Sequence, residues 1–172
     1  TKSEYIKLRY VGQLFNLINS KENAQKFWKE NLYFRLHRSG FEVFKNYPIF
    51  GVGNKNYRVE TCDKEVKDDI TKKKYLCTTH PHQIYFELLS EHGIIGTIFI
   101  FFILYRLIFS KVKEVFRTGS YVQVGSLIYL CLTFLPLLPS GSFFNNFMLT
   151  LFMINLSILY GTSKRLNIFR GR

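Results

Sequence analysis

From Gly93 to the C-terminus this chain carries one acidic residue, Glu114, and three apolar runs separated by short linkers. Gly93 to Phe109 holds a single charge, Arg106, within a turn of its end, where a long side chain can reach an interface. Tyr121 to Leu138 is apolar until Pro136 and Pro139 close it, and Phe143 to Tyr160 is uncharged throughout. Each run has the length that crosses a hydrocarbon core, about 17 to 25 residues. Three buried core helices in so short a stretch would leave almost no soluble shell to cover them. The mean hydropathy of zero therefore hides two unlike halves. Residues 1–92 hold 16 of the 24 Lys and Arg and 11 of the 12 Asp and Glu.

The fold class expected is all-α: a polytopic integral membrane protein with an α-helical extracytoplasmic loop domain, 1–92, and three transmembrane helices, 93–109, 121–138 and 143–160. The linker after the first run carries Lys111, Lys113 and Arg117, and the tail carries Lys164, Arg165, Arg170 and Arg172. Short basic loops stay on the cytoplasmic side, so the linker and tail face inward and residues 1–92 face outward. The chain opens on Thr1 with no charged segment leading into an apolar one, so no signal peptide is read, and further spans are expected upstream. The net charge of +12 fits anionic lipid headgroups or phosphorylated lipids as membrane partners, and no nucleic acid.

Within residues 1–46 apolar residues recur at helical spacing, as in Ile6, Tyr10 and Leu14; Ser20 is a candidate N-cap, and 32–46 reads as a further helix. Asn46 to Gly53, NYPIFGVG, breaks the pattern as a turn in which backbone can approach closely; its Gly-x-Gly lacks the context of a dinucleotide fold. Cys62 and Cys77 bracket a polar insert on the oxidising side of the membrane, where a disulfide is the economical reading and two free thiols the alternative.

Chemistry gathers at Thr78-Thr79-His80-Pro81-His82-Gln83, which leads into IYFELLSEHG. Pro81 suits a first helical turn and Gly93 a helix end, with Ile84, Leu88 and Leu89 as the apolar stripe. A helix N-terminus disfavours imidazolium and attracts phosphate, so His80 and His82 are expected neutral and able to accept a proton. Arg35, Arg38 and Arg58 precede them, with guanidinium forks that match phosphate oxygens. His80-x-His82 with Cys77, Glu91 and His92 supplies zinc ligand types, but the spacing fits no closed zinc motif, and no metal is expected.

Three segments, FEVFKNYPIFGVGNKNYRVE, CTTHPHQIYFELLSEHGIIG and PLLPSGSFFNNF, resemble in order those of the O-antigen ligase and O-antigen polymerase family of bacterial inner-membrane glycosyltransferases, from about Arg35 to Phe147. The resemblance implies a metal-independent glycosyltransferase without cofactor. Its implied substrate is an undecaprenyl-diphosphate-linked glycan, and the acceptor is lipid A core or another glycan, at the periplasmic face. It gives Arg35 the diphosphate, with Arg38 and Arg58 as auxiliaries, and His82 or His80 the acceptor. The family usually has Asn where this chain has Gln83, and often a Trp near His37. A reading from another class is a non-enzymatic membrane subunit of a lipid or polysaccharide exporter, in which the basic loop only binds headgroups.

Overall fold

The computed structural model describes residues 22, 25, 31–63, 75–118, 120–136 and 140–162, and every regular element among them is helical. Apart from residues 22 and 25, the helices expected before residue 31, with Ser20 as a cap, lie outside the described residues, as does the basic tail. Helix α1, Leu32–Asn46, starts at Asn31, whose side chain accepts from the Tyr33 N–H (3.0 Å). It buries Leu36, Ser39, Gly40 and Val43, the spacing of one helical face. Gly40 permits its close approach to the histidine segment: a Cβ there would stand 2.7 Å from Pro81 Cβ. Helix α2 is a short turn and a half, Tyr57–Cys62.

Helix α3, Ile84–Leu107, contains a break at Gly93 (φ 62°, ψ −169°). A helix break leaves carbonyls and N–H groups without partners, and the Pro48–Gly53 turn supplies them. Val52 N and Gly53 N donate to Ser90 O (2.9 Å) and Glu91 O (2.8 Å), while Pro48 O and Ile49 O accept from Ile94 N (2.8 Å) and Ile95 N (3.3 Å). Such main-chain docking leaves no room for side chains. A Cβ on Gly51 would lie 2.6 Å from Gly93 N, and one on Gly93 would lie 2.6 Å from Phe50 N; both glycines have positive φ. The Gly-x-Gly of the turn is thus a backbone plug for the helix break.

A 3-10 turn, Phe109–Lys111, continues α3 into α4, Val112–Thr118. Together they make a 34-residue run, Ile84–Arg117, that is long and apolar enough to cross a membrane. Its outer surface is apolar and uncovered; Phe99 and Phe102 are 64% and 62% exposed. Two further apolar helices come next, α5 (Tyr121–Thr133) and α6 (Asn146–Gly161), which pack on each other. Phe134, Phe143, Phe152, Leu127, Leu130 and Leu159 belong to the core these helices share with α3.

The structure corrects the helix start expected at Pro81. Helix α3 begins at Ile84, not at Pro81, because His82 takes a left-handed backbone (φ 56°) and Gln83, extended, caps the helix through Phe86 N (3.0 Å). Within the runs expected at 121–138 and 143–160, α5 and α6 cover 13 and 16 residues, about 20 and 24 Å of helix. Tyr85 Oη donates to Phe134 O (2.6 Å), Gln83 Nε2 to Pro136 O (3.1 Å), and the Glu87 carboxylate accepts from Phe143 N (2.9 Å) and the Ser142 hydroxyl. These bonds tie the non-helical backbone at Phe134, Pro136 and Phe143 to the start of α3.

The same bonds fix direction. The end of α5 and the start of α6 sit beside the start of α3, whereas Tyr160 Oη donates to Leu107 O (2.8 Å) and Gln123 Nε2 to Leu159 O (2.9 Å) at the opposite end. The three helices therefore run up, down and up.

Candidate functional site

A polar cleft of about 440 Å³ lies where α2, the histidine segment, the broken end of α3 and the α5–α6 loop meet. Lys55 and Arg58 bring two cations to it, one before α2 and one within it. Thr79 and His80 come from the segment ahead of α3, Glu91 from the last turn before the Gly93 break, Ser142 and Asn145 from the α5–α6 loop, and Asn146 from the first turn of α6. A larger groove of about 600 Å³ runs along α6, but its Leu, Met, Ile, Ser, Thr and Gly lining holds no charge to meet an ion.

Covalent and polar ties hold the cation side to the histidine side. Cys62, closing α2, is disulfide-bonded to Cys77, with Cα atoms 4.5 Å apart. Thr61 Oγ1 donates to Thr78 O (3.3 Å), and Thr78 Oγ1 donates to His80 O (3.0 Å). Ser39 Oγ accepts from Tyr57 Oη and from Leu76 N, both at 2.9 Å, so α1 braces both segments. Burial pushes the Tyr57 phenol up to about 12, so it stays a neutral donor. On the far side, Ser140 N donates to His82 O (3.0 Å), which ties the α5–α6 loop to the histidines.

The histidines differ. His80 lines the cleft, its Nδ1 pairs with Thr79 Oγ1 (2.9 Å), and its buried Nε2 has no hydrogen-bond partner. Burial, with the charge of His82 second, lowers its pKa, so the ring is neutral at pH 7 and can accept a proton. The His82 ring lies 4.1 Å from that of His80 and 6.2 Å from that of Tyr33, on the side facing α1, outside the cleft lining. Neither histidine occupies the helix terminus expected for it. Both precede the N-cap, and the Phe86 N–H of the first turn is taken by Gln83; desolvation leads in keeping His80 neutral.

Of the expected arginines only Arg58 lines the cleft. Arg35 and Arg38 are exposed on α1. At about 100° per residue, Tyr33 and His37, which face His82 and Phe86, occupy one flank of α1, and Arg35 falls on the other. Among the described residues no cluster of three His, Cys, Asp or Glu side chains is arranged to hold a metal.

Two residues of the cleft are hard to read from sequence. For Lys55 the available signal is its place in Gly-x-Gly-Asn-Lys, three residues before Arg58. Glu91 reads in the sequence only as a metal ligand type. It is 2% exposed, its carboxylate is hydrogen-bonded by the Lys55 and Tyr57 backbone, and its Oε2 has no partner. Burial raises its pKa to about 7 against those bonds, with neighbouring Glu87 adding to the rise. An acid one turn ahead of a long uncharged run is the clue.

A family model described as O-antigen ligase matches residues 8–101, more than half of the chain, from ahead of α1 into the apolar part of α3. No curated protein and no solved structure matches it.

Proposed function

From its membership of the O-antigen ligase family, whose members are membrane proteins of O-antigen polysaccharide biosynthesis, we propose that this chain belongs to a glycosyltransferase. It moves a glycan from undecaprenyl diphosphate to lipid A core or to another glycan, at the periplasmic face of the bacterial inner membrane. The observation that carries the reading is the meeting of Lys55, Arg58 and a neutral His80 in one cleft at the head of a membrane-capable helix.

The chemistry follows from these groups. A hydroxyl of the acceptor attacks the anomeric carbon as the bond to the diphosphate oxygen breaks. Its proton passes to His80 Nε2, and the departing diphosphate takes up negative charge against Lys55 and Arg58. Lys55 and Arg58 are exposed at the rim of the cleft and meet that charge as it develops, and the arginine fork adds two-point geometry. Arg35 and Arg38, exposed on α1, act as auxiliaries on the carrier or on lipid headgroups, and His82 packs behind His80. The runs at 93–109, 121–138 and 143–160 lie in the bilayer, with residues 1–92 periplasmic and the C-terminus cytoplasmic.

The test is glycan transfer by the complete protein reconstituted with the undecaprenyl-diphosphate-linked glycan and an acceptor. Arg58→Ala and His80→Ala should each lower the rate about 100-fold or more at unchanged membrane level, and Arg58→Lys should recover part of it. Wild-type rates in both alanine variants would overturn the reading.

A further inference from the structure

The cleft contains one group that the transfer reaction as described does not use and that the diphosphate would repel. Glu91 lies at its wall, almost wholly covered, and its Oε2 is buried without a partner. The Lys55 charge acts on it from within the cleft, but among the described residues neither Lys55 nor Arg58 closes an ion pair with it. Yet its place is fixed. The Lys55 and Tyr57 backbone groups bond the carboxylate, and the residue's own carbonyl accepts from Gly53 N at the plugged break of α3. Its neighbour one turn back, Glu87, spends both oxygens on Ser142 and Phe143 and is structural by comparison. A buried acceptor left open costs free energy, so a fixed one in a cleft marks where a donor belongs.

A ligand with its anionic part on the two cations would meet this oxygen with an uncharged donor. A sugar offers hydroxyls in that form. We infer that Glu91 is a glycan-binding residue: its Oε2 accepts a hydrogen bond from a sugar hydroxyl other than the one that attacks, and so sets the orientation of the sugar in the cleft. Ser142 and Asn145 on the opposite loop, and Asn146 in the first turn of α6, present further donors and acceptors to the same sugar. A site built to bond a hydroxyl discriminates strongly against a sugar that lacks it, since the carboxylate is then left open. The inference rests on the transfer reading for the nature of the ligand, and the sugar belongs to either the donor or the acceptor.

The experiment measures both substrates in the complete protein in nanodiscs. Binding is followed for undecaprenyl diphosphate with and without its glycan, and transfer rates are followed against each substrate's concentration. Glu91→Gln, nearly isosteric, should weaken binding of the glycosylated carrier about tenfold or more and leave the bare carrier unchanged if the hydroxyl is on the donor. If the hydroxyl is on the acceptor, KM for the acceptor rises by the same factor while kcat falls less. Glu91→Asp, which keeps the charge, should recover part of either loss. Unchanged binding and unchanged KM for both substrates in Glu91→Gln would overturn the inference while leaving the transfer reading intact. A wild-type protein that binds the glycosylated carrier in a Glu91-dependent way but transfers nothing would do the reverse. Equal weakening of the bare and the glycosylated carrier would assign Glu91 to the diphosphate and overturn the inference too.

Discussion

His80 and His82 are separated by one residue and differ in what holds them. His82 sits at φ 56°, a region that costs an L residue about 1–2 kcal/mol and that glycine enters freely. His82→Gly therefore removes the ring and keeps the turn. With His80 as proton acceptor, His82→Gly should retain transfer within about tenfold, whereas His80→Ala should lose about 100-fold or more. The variant should also move the acid limb of the pH–rate profile upward, since the charge of His82 lowers the pKa of His80. A His82→Gly protein as inactive as His80→Ala would return the base to His82. Glu91 makes a separate prediction about stability. Its pKa is raised from 4.5 to about 7 by burial, so the folded state keeps a proton that the unfolded chain releases. Its contribution is complete below pH 4.5 and is lost as pH rises to about 7, up to about 3 kcal/mol. Thermal unfolding across that window should show a shallower decline in Glu91→Gln than in wild type.

At the scale of elements, the break in α3 and the turn that fills it form one unit. Gly51→Ala or Gly93→Ala would combine a positive φ with a Cβ driven into backbone, and each should cost more than about 2 kcal/mol. Gly125→Ala in α5, where an added Cβ meets nothing within 4 Å, is the control and should be neutral. Membrane level and unfolding temperature check the contrast. The Cys62–Cys77 bond acts between elements, because Arg58 lies four residues before one end and His80 three residues after the other. Replacing both cysteines by serine should cost on the order of 3 kcal/mol and reduce transfer. Reductant should slow the wild type and leave the double variant unaffected; an effect on both would place the sensitivity elsewhere.

For the molecule as a whole, the up–down–up order puts the α5–α6 loop on the same side as the histidine segment and α4 on the other. Single cysteines at Gly141 and at Lys113, introduced into the complete protein after Cys131→Ser with the disulfide retained, should separate on labelling of intact cells. An impermeant thiol reagent is expected to reach the first and not the second; equal labelling would rule out opposite membrane faces. The polar loop between α5 and α6 is tied to α3, so the cleft wall of Ser142, Asn145 and Asn146 comes from between two apolar helices and from the first turn of α6.

Much of the helical layout is legible in residues 31–162, because apolar runs, the Leu32–Asn46 periodicity and the Pro-Gly turn are local signals with one physical meaning each. The bounds of α5 and α6 are not. Pro136 marks a local stop in the apolar run from Tyr121, but the end of α5 at Thr133 is also held by hydrogen bonds from Gln83 and Tyr85, about 50 residues away, to Pro136 O and Phe134 O. The histidines are visible as chemistry, but which of them faces the cleft depends on the sign of φ at His82, where Pro81 suggests a different start for the helix. Among the arginines, composition makes Arg35, Arg38 and Arg58 equal candidates. The disulfide beside α2 and the docking of the Pro48–Gly53 turn at Gly93 bring Arg58 and Lys55 to His80 and Glu91, and leave Arg35 on the outer flank of α1. Local sequence decides which residues can carry charge or accept a proton, whereas convergence on one cleft is set by long-range contacts: backbone docking at Gly93, the disulfide, and side-chain bonds between segments far apart in the chain.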